Sequence, residues 1–242
     1  MATTEATAAS RGSRALVALG LLAIAALLGC LWRIFAATPI EATMGIVQKI
    51  FYFHVPAAYA MYVGFVTSAV ASAIYLWRRS PKADAWAVAG AEVGLLFCAI
   101  VLTTGPLWAR KAWGVWWSWD PRLTTTLLAG LIFVAVVALR SMGSAGEAER
   151  RFAAALALLG VLDLPLIHWS VQKWRGLHPT VITGAGGGLD PAMRTTLLAC
   201  FAAFSLLVAW LLWVRARAEL LRARADALEA EAARRGVLEE AA

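Results

Sequence analysis

Long uninterrupted apolar runs dominate the chain. They lack the strict alternation of outer-membrane strands, and each is long enough, at about 20 residues, to cross a hydrocarbon layer of about 30 Å as a helix. We predict six spans, over residues 15–37, 55–77, 86–107, 123–140, 152–170 and 191–214. The pattern therefore predicts an all-α, polytopic membrane protein whose helices satisfy their own backbone hydrogen bonds.

Polar segments divide the chain around these spans. Residues 1–14 are rich in Ala, Thr and Ser, which predicts a disordered N-terminus ahead of a membrane domain over residues 15–214. Asp190 followed by Pro191 is typical of a helix start. Residues 215–242 are rich in Ala, Leu, Glu and Arg and predict a helical tail, continuous with or close to the sixth span. Its imperfect apolar stripe could dock on a partner, or the helix could simply be solvated.

Composition and the distribution of charge indicate the class of protein and the orientation of its spans in the membrane. With 61% hydrophobic residues, 15% charged residues and a mean hydropathy of +0.71, the chain is too apolar for an ordinary soluble domain. Fourteen of the 22 Lys and Arg residues fall on the side that holds both termini, which predicts cytoplasmic N and C termini and explains the net charge of +7 without nucleic acid. The three cysteines lie in different spans and predict no disulfide, zinc site or covalent cofactor: Cys30, Cys98 and Cys200.

The stretch "WGVWWSWD", residues 113–120, has an unusual density of tryptophan and lies in the outer segment 108–122. Trp113, Trp116 and Trp117 are spaced i, i+3 and i+4, which predicts one face of a short helix. Trp119 lies off that face, and Asp120 before Pro121 marks the end of the turn and could cap the fourth span. Such a segment could be an aromatic belt at the membrane interface or a platform for a flat ligand.

The histidines strengthen the ligand interpretation. The chain has three, His54, His168 and His178, and the predicted topology puts all of them on the outer side. One alone could be a polar anchor, but three beside a tryptophan slab favour a metal-bearing flat aromatic ligand. Haem fits, because imidazole is a common axial ligand and the porphyrin needs apolar cover and cations for its propionates. The nearby cations, which could equally contact lipid headgroups, are Arg110, Lys111, Arg122, Lys173 and Arg175.

The spacing of the histidines ranks them as iron ligands. His54 and His178 come from different segments and can approach opposite faces of a ring. His168 is ten residues before His178, about 15 Å along a helix, so it ranks third and could instead be a polar residue of the bundle interior.

Two acids lie within the spans, Glu92 and Asp163, and their burial costs free energy unless they are paired, neutral or hydrated. They could serve a proton or substrate pathway, interhelical hydrogen bonding or contact with a small partner.

The run "WGVWWSWDPRLT" resembles the tryptophan-rich WWD signature of haem-handling proteins of cytochrome c biogenesis. With "FHVP" at the second span and six spans in all, residues 14–214 are similar to the CcmC family, haem exporter protein C. The resemblance implies non-covalent haem b with two histidine ligands, at His54 and His178. It implies that the haem-binding WWD segment consists of Trp113, Trp116, Trp117, Trp119 and Asp120, to which we add Arg110 and Arg122 as candidate propionate contacts.

The resemblance also implies a function. The protein would bind haem at the periplasmic face of the bacterial inner membrane and present it to the haem chaperone CcmE, together with the ABC-type subunits CcmA and CcmB and the small subunit CcmD. The chain has no nucleotide-binding motif and no nucleophile with a base, so we expect a haem-transfer subunit and not an enzyme. The alternatives are a proton-coupled transporter of another amphipathic substrate, acting through Glu92 and Asp163, and a structural membrane subunit.

Overall fold

The structure is a helical bundle, seen in a computed structural model that describes residues 2–141, 146–174 and 188–236. No β-strand occurs within these residues. The α-helices are α1 (Ala2–Trp32), α2 (Phe51–Arg78), α3 (Pro81–Trp113), α4 (Pro121–Ser141), α5 (Glu147–Val161), α6 (Asp163–Lys173) and α7 (Pro191–Arg234). They supply six segments long and apolar enough to cross a membrane, which confirms the predicted all-α polytopic class.

The ends of the helices differ from the predicted spans. Helix α7 continues unbroken from the membrane segment to Arg234, as the tail composition predicted, and begins with the Asp190 side chain accepting a hydrogen bond from the Ala192 N–H at 2.8 Å. Helix α1 starts at Ala2, whereas composition predicted disorder over residues 1–14. The alanines of this segment favour a helix once the following span has nucleated one.

The predicted fifth span consists of two helices. α5 ends at Val161 and α6 begins at Asp163, with Leu162 between them. Pro165 in the first turn of α6 explains the break, because it has no N–H to donate to Val161 and its ring disfavours a continuous helix. Helix α6 carries His168.

Helices α2 and α3 form a tight antiparallel hairpin. Arg79 adopts a left-handed conformation (φ 52°), Ser80 is the N-cap of α3 and Pro81 is its first residue. Further along, a Cβ atom on Gly64 would lie 2.5 Å from the Cα of Gly94, so these two backbones touch. In lipid, where burial of apolar groups drives helix association little, such close van der Waals contact is a main source of stability.

Pairs of side chains join the other helices to this hairpin. The rings of Phe65 in α2 and Phe133 in α4 stack with centroids 3.8 Å apart. Arg215 of α7 donates to both carboxylate oxygens of Glu92 in α3, at 2.8 Å from Nη2 to Oε1. Among the roles considered for Glu92, the structure shows interhelical hydrogen bonding, here as an ion pair with Arg215. Asp163 is buried, 6% exposed, at the start of α6.

Candidate ligand cavity

A cavity of about 510 Å³ lies at one end of the bundle. Helices α2, α4 and α7 have their N-terminal ends on this side, and α3 and α6 have their C-terminal ends there. This volume is within the range of small-molecule sites, about 300–1,000 Å³. Aliphatic side chains and seven aromatic ones make up most of the lining, and the aromatic ones are Phe51, Tyr59, Tyr62, Trp108, Trp113, Trp117 and Phe201. Glu92 and Asp163 do not line this cavity.

Helix α2 presents one face to the cavity. His54, Ala58, Met61 and Tyr62 are spaced i, i+4, i+7 and i+8, so successive turns bring them to the same side of the helix. The His54 ring is half-buried, and its Nδ1 atom lies 2.8 Å from the hydroxyl oxygen of Thr104 in α3. His54 is therefore held between the two helices of the hairpin at the cavity wall.

The prediction of a short helix through Trp113, Trp116 and Trp117 is wrong. Helix α3 ends at Trp113, where Gly114 takes a left-handed conformation (φ 76°), and residues 114–120 are irregular. Glycine favours this termination because a side chain would be strained there. The turn nevertheless brings Trp113 and Trp117 to the cavity lining. Trp116 and Trp119 are outside it, 57% and 74% exposed.

Trp108 is a cavity residue that the tryptophan pattern did not single out. Its ring packs edge-on against Trp113, with centroids 5.6 Å apart, and its indole nitrogen donates to the Gln48 side chain at 3.4 Å. Val101, Gly105 and Trp108 are spaced i, i+4 and i+7 on α3 and all line the cavity. This helical spacing was present in the sequence, although only the packing of α3 shows which of its faces is the inner one.

Asp120 is the N-cap of α4, as the sequence suggested, and it does not line the cavity. Its Oδ1 atom accepts hydrogen bonds from the backbone N–H groups of Arg122 at 2.9 Å and Leu123 at 3.1 Å. The residue as a whole is 7% exposed. Asp120 therefore fixes the first turn of α4, which carries Arg122.

The candidate cations occupy different positions. Arg122 lines the cavity, and its Nε atom donates to the Ile167 carbonyl at 3.3 Å. Arg110 is exposed and outside the lining; it donates to the Gly114 carbonyl, and its guanidinium lies 5.9 Å from the centroid of the Trp116 ring. Among the described residues, Arg122 is the one lysine or arginine in the lining. Lys111 and Lys173 are exposed, and Arg175 is outside the described residues.

The structure brings two histidines to one cavity. His168, near the end of α6, lines it together with His54 of α2, although its spacing from His178 ranked it third. Their convergence depends on the packing of α6 against α4, which no local pattern reveals. His178 lies in residues 175–187, outside the described part of the chain, so its predicted role as a ligand stays a prediction.

The cavity suits a flat, largely apolar ligand that carries a metal and a carboxylate edge. Aromatic rings cover its faces, imidazoles offer nitrogen ligands, and Arg122 offers a cation. The Trp117 indole nitrogen is buried and has no acceptor within the described residues, which leaves an N–H donor at the wall. These groups meet the three requirements of a haem site, namely apolar cover, axial nitrogen and propionate contacts.

Comparison with known proteins identifies the family to which the chain belongs. The family model of CcmC, described as Heme exporter protein C, matches residues 2–231. Proteins named Heme exporter protein C are 37% identical over 198 residues in Bradyrhizobium diazoefficiens, covering 80% of this chain and 74% of the relative, and 37% identical over 189 residues in Escherichia coli strain K12, covering 78% and 76%. The one from Paracoccus denitrificans is 34% identical over 194 residues, covering 79% and 80%. The chain belongs to the CcmC family, heme exporter protein C.

Proposed function

We propose that this protein is a haem-binding subunit of the bacterial inner membrane, which holds haem at the periplasmic face and delivers it to the haem chaperone CcmE for cytochrome c maturation. Haem is the cargo, held without a covalent bond. The family supports a haem-handling membrane subunit. The observation that carries the proposal is the meeting of His54, Trp113, Trp117 and Arg122 at one cavity.

Each wall of the cavity has a separate task in this proposal. His54 would ligate the iron from the cavity wall, His178, outside the described residues, is the proposed second ligand, and Trp108, Trp113 and Trp117 would cover the porphyrin. Arg122 pairs with a propionate. A guanidinium can bind a carboxylate with two parallel hydrogen bonds, so it sets the rotation of the porphyrin as well as contributing affinity.

The remaining candidate residues act at the rim or indirectly. Trp116, Trp119 and Arg110 lie outside the lining, so we assign them contacts only with the part of haem that projects from the cavity. Asp120 acts by capping α4 and so by orienting Arg122. We give His168 a contact at the cavity wall that is secondary to the two ligands.

Any ATP-driven step in delivery would belong to partners, because the sequence contains no nucleotide-binding motif. We propose that CcmA and CcmB supply that step, that CcmD belongs to the same membrane complex and that CcmE receives the haem. The chain itself contributes positioning, since a cargo held in one orientation reacts with an acceptor far more readily than one that diffuses.

Two tryptophans, one in the cavity lining and one far from it, provide a matched test. We expect Trp117→Leu to weaken haem binding about tenfold and to reduce haem loading of CcmE, because the change keeps a hydrophobic side chain but removes an aromatic face of the cavity. Trp77→Leu, which alters an exposed tryptophan at the opposite end of α2 and outside the cavity lining, serves as the control. Haem content is measured on detergent-purified protein, and CcmE loading by haem staining after denaturation. Equal haem content in the two variants would contradict the proposed cavity.

A further inference from the structure

One hydrogen bond joins His54 to the neighbouring helix. The Nδ1 atom of His54 in α2 lies 2.8 Å from the Oγ1 atom of Thr104 in α3, and the two residues are 50 positions apart in the chain. The bond therefore exists only because the α2–α3 hairpin is packed as it is. Thr104 itself is absent from the cavity lining, whereas His54 and Gly105 belong to it.

The second hydrogen bond of Thr104 defines the direction of the first. Its hydroxyl donates to the Ile100 carbonyl, one turn earlier in α3, at 2.7 Å. A hydroxyl has a single proton, so an oxygen that donates to Ile100 can only accept from His54. Nδ1 of His54 must then be the protonated nitrogen. In a neutral imidazole the lone pair consequently belongs to Nε2, the atom that can bind a metal.

The backbone beside Thr104 restricts the ring further. A Cβ atom on Gly105 would lie 3.4 Å from the Cε1 atom of His54, so α3 packs closely along this edge of the imidazole. A half-turn of the ring about its Cβ–Cγ bond would exchange Nδ1 with a carbon and lose the hydrogen bond to Thr104. One bond and one packed edge thus oppose rotation of the ring.

From these contacts we infer that Thr104 is a positioning residue for His54: it holds the imidazole as the Nδ1–H tautomer and leaves Nε2 as the nitrogen that meets the metal of the ligand. The metal part of this inference rests on the proposed function. Partners of this kind on a metal-binding histidine typically change affinity by about 10- to 100-fold. We expect loss of the Thr104 hydroxyl to weaken haem binding within that range.

The chain provides closely matched variants. Thr104→Val removes the hydroxyl with little change in shape, and Thr104→Ser restores it. Thr103→Val is the control, because Thr103 makes the same type of bond, to the Ala99 carbonyl at 2.7 Å, but is exposed and does not line the cavity. A general effect of replacing a threonine in α3 would appear in Thr103→Val as well as in Thr104→Val.

The first measurement is made on haem-free protein. The ¹⁵N NMR spectrum of protein labelled with ¹⁵N-histidine, in detergent, reports on the three imidazoles of the chain. A His54→Gln variant identifies the signals of His54 by their loss. We expect a protonated Nδ1 and an unprotonated Nε2 in the wild type, Thr104→Ser and Thr103→Val, and a loss of this signature in Thr104→Val. An unchanged signature in Thr104→Val, or a protonated Nε2 in the wild type, would overturn the assigned tautomer.

The second measurement is made with haem, by titration and absorption spectroscopy together with the iron reduction potential. We expect weaker binding and a shifted potential in Thr104→Val, and near wild-type values in Thr104→Ser. If His54→Ala loses haem but Thr104→Val binds it normally, the inference is wrong and the proposed function stands. If His54→Ala itself retains normal haem binding, the proposed ligand is wrong, and the metal part of the inference is wrong with it.

Discussion

At the scale of single residues, the candidate site depends on side chains that do not line the cavity but fix the position of residues that do. Asp120 is not among the residues that line the cavity, yet its carboxylate accepts hydrogen bonds from the backbone N–H groups of Arg122 and Leu123. The first turn of a helix has N–H groups without helical partners, so this cap stabilises the start of α4. The position of the Arg122 guanidinium is thereby tied to a residue two positions earlier.

The capping role predicts a contrast between two substitutions of Asp120. Asp120→Ala should lower the free energy of unfolding by about 1 kcal/mol, because two backbone N–H groups lose their acceptor. Asp120→Asn should lose much less, since asparagine caps about as well as aspartate. Thermal unfolding in detergent compares the two. If Asn is as destabilising as Ala, the negative charge of Asp120 matters in some way other than capping.

At the level of helices and loops, local sequence signals predict where elements begin and end, whereas tertiary packing decides which side chains from different elements come together. Gly114 and the Asp120–Pro121 pair are visible in the sequence, and they show why a periodic tryptophan pattern did not form a helix. Pro165 likewise accounts for the division of the fifth span. The contact of His54 with Thr104 and the presence of His168 at the same cavity are different, because this arrangement joins three helices whose relative rotation is set by packing. No spacing within one segment can predict it.

The α2–α3 hairpin gives the prediction at this scale. Gly64→Ala should lower the free energy of unfolding by about 1–3 kcal/mol, because the new methyl group would meet the Gly94 backbone 2.5 Å away. Gly29→Ala in α1 is the control. A Cβ atom there meets nothing within 4 Å, and alanine favours a helix over glycine. Thermal unfolding in detergent should separate the two variants, and equal stability would contradict the close approach of α2 and α3.

At the scale of the whole molecule, the number of spans followed directly from the lengths of the apolar runs. Their orientation remains a prediction from the distribution of Lys and Arg. In that orientation the cavity faces the periplasm, and the part of α7 beyond the membrane is cytoplasmic. The three native cysteines are buried, so they give little background in labelling experiments.

This orientation can be tested with two introduced cysteines. A maleimide that does not cross membranes, added to spheroplasts, should label a Val115→Cys variant at the cavity end and leave an Arg222→Cys variant in α7 unlabelled until the membrane is permeabilised. Both native side chains are exposed, so accessibility within the protein does not limit either reaction. Labelling in the reverse order would show that the cavity faces the cytoplasm.

The proposed function depends on haem being held in this cavity through His54. It is tested most directly by the absorption spectrum and haem content of protein purified in detergent, for the wild type and the His54→Ala, His178→Ala and His168→Ala variants. We predict a low-spin haem spectrum in the wild type, loss or change of that spectrum in the His54 and His178 variants, and a smaller effect in the His168 variant. If His54→Ala leaves haem content and spectrum unchanged, His54 does not hold haem in this cavity.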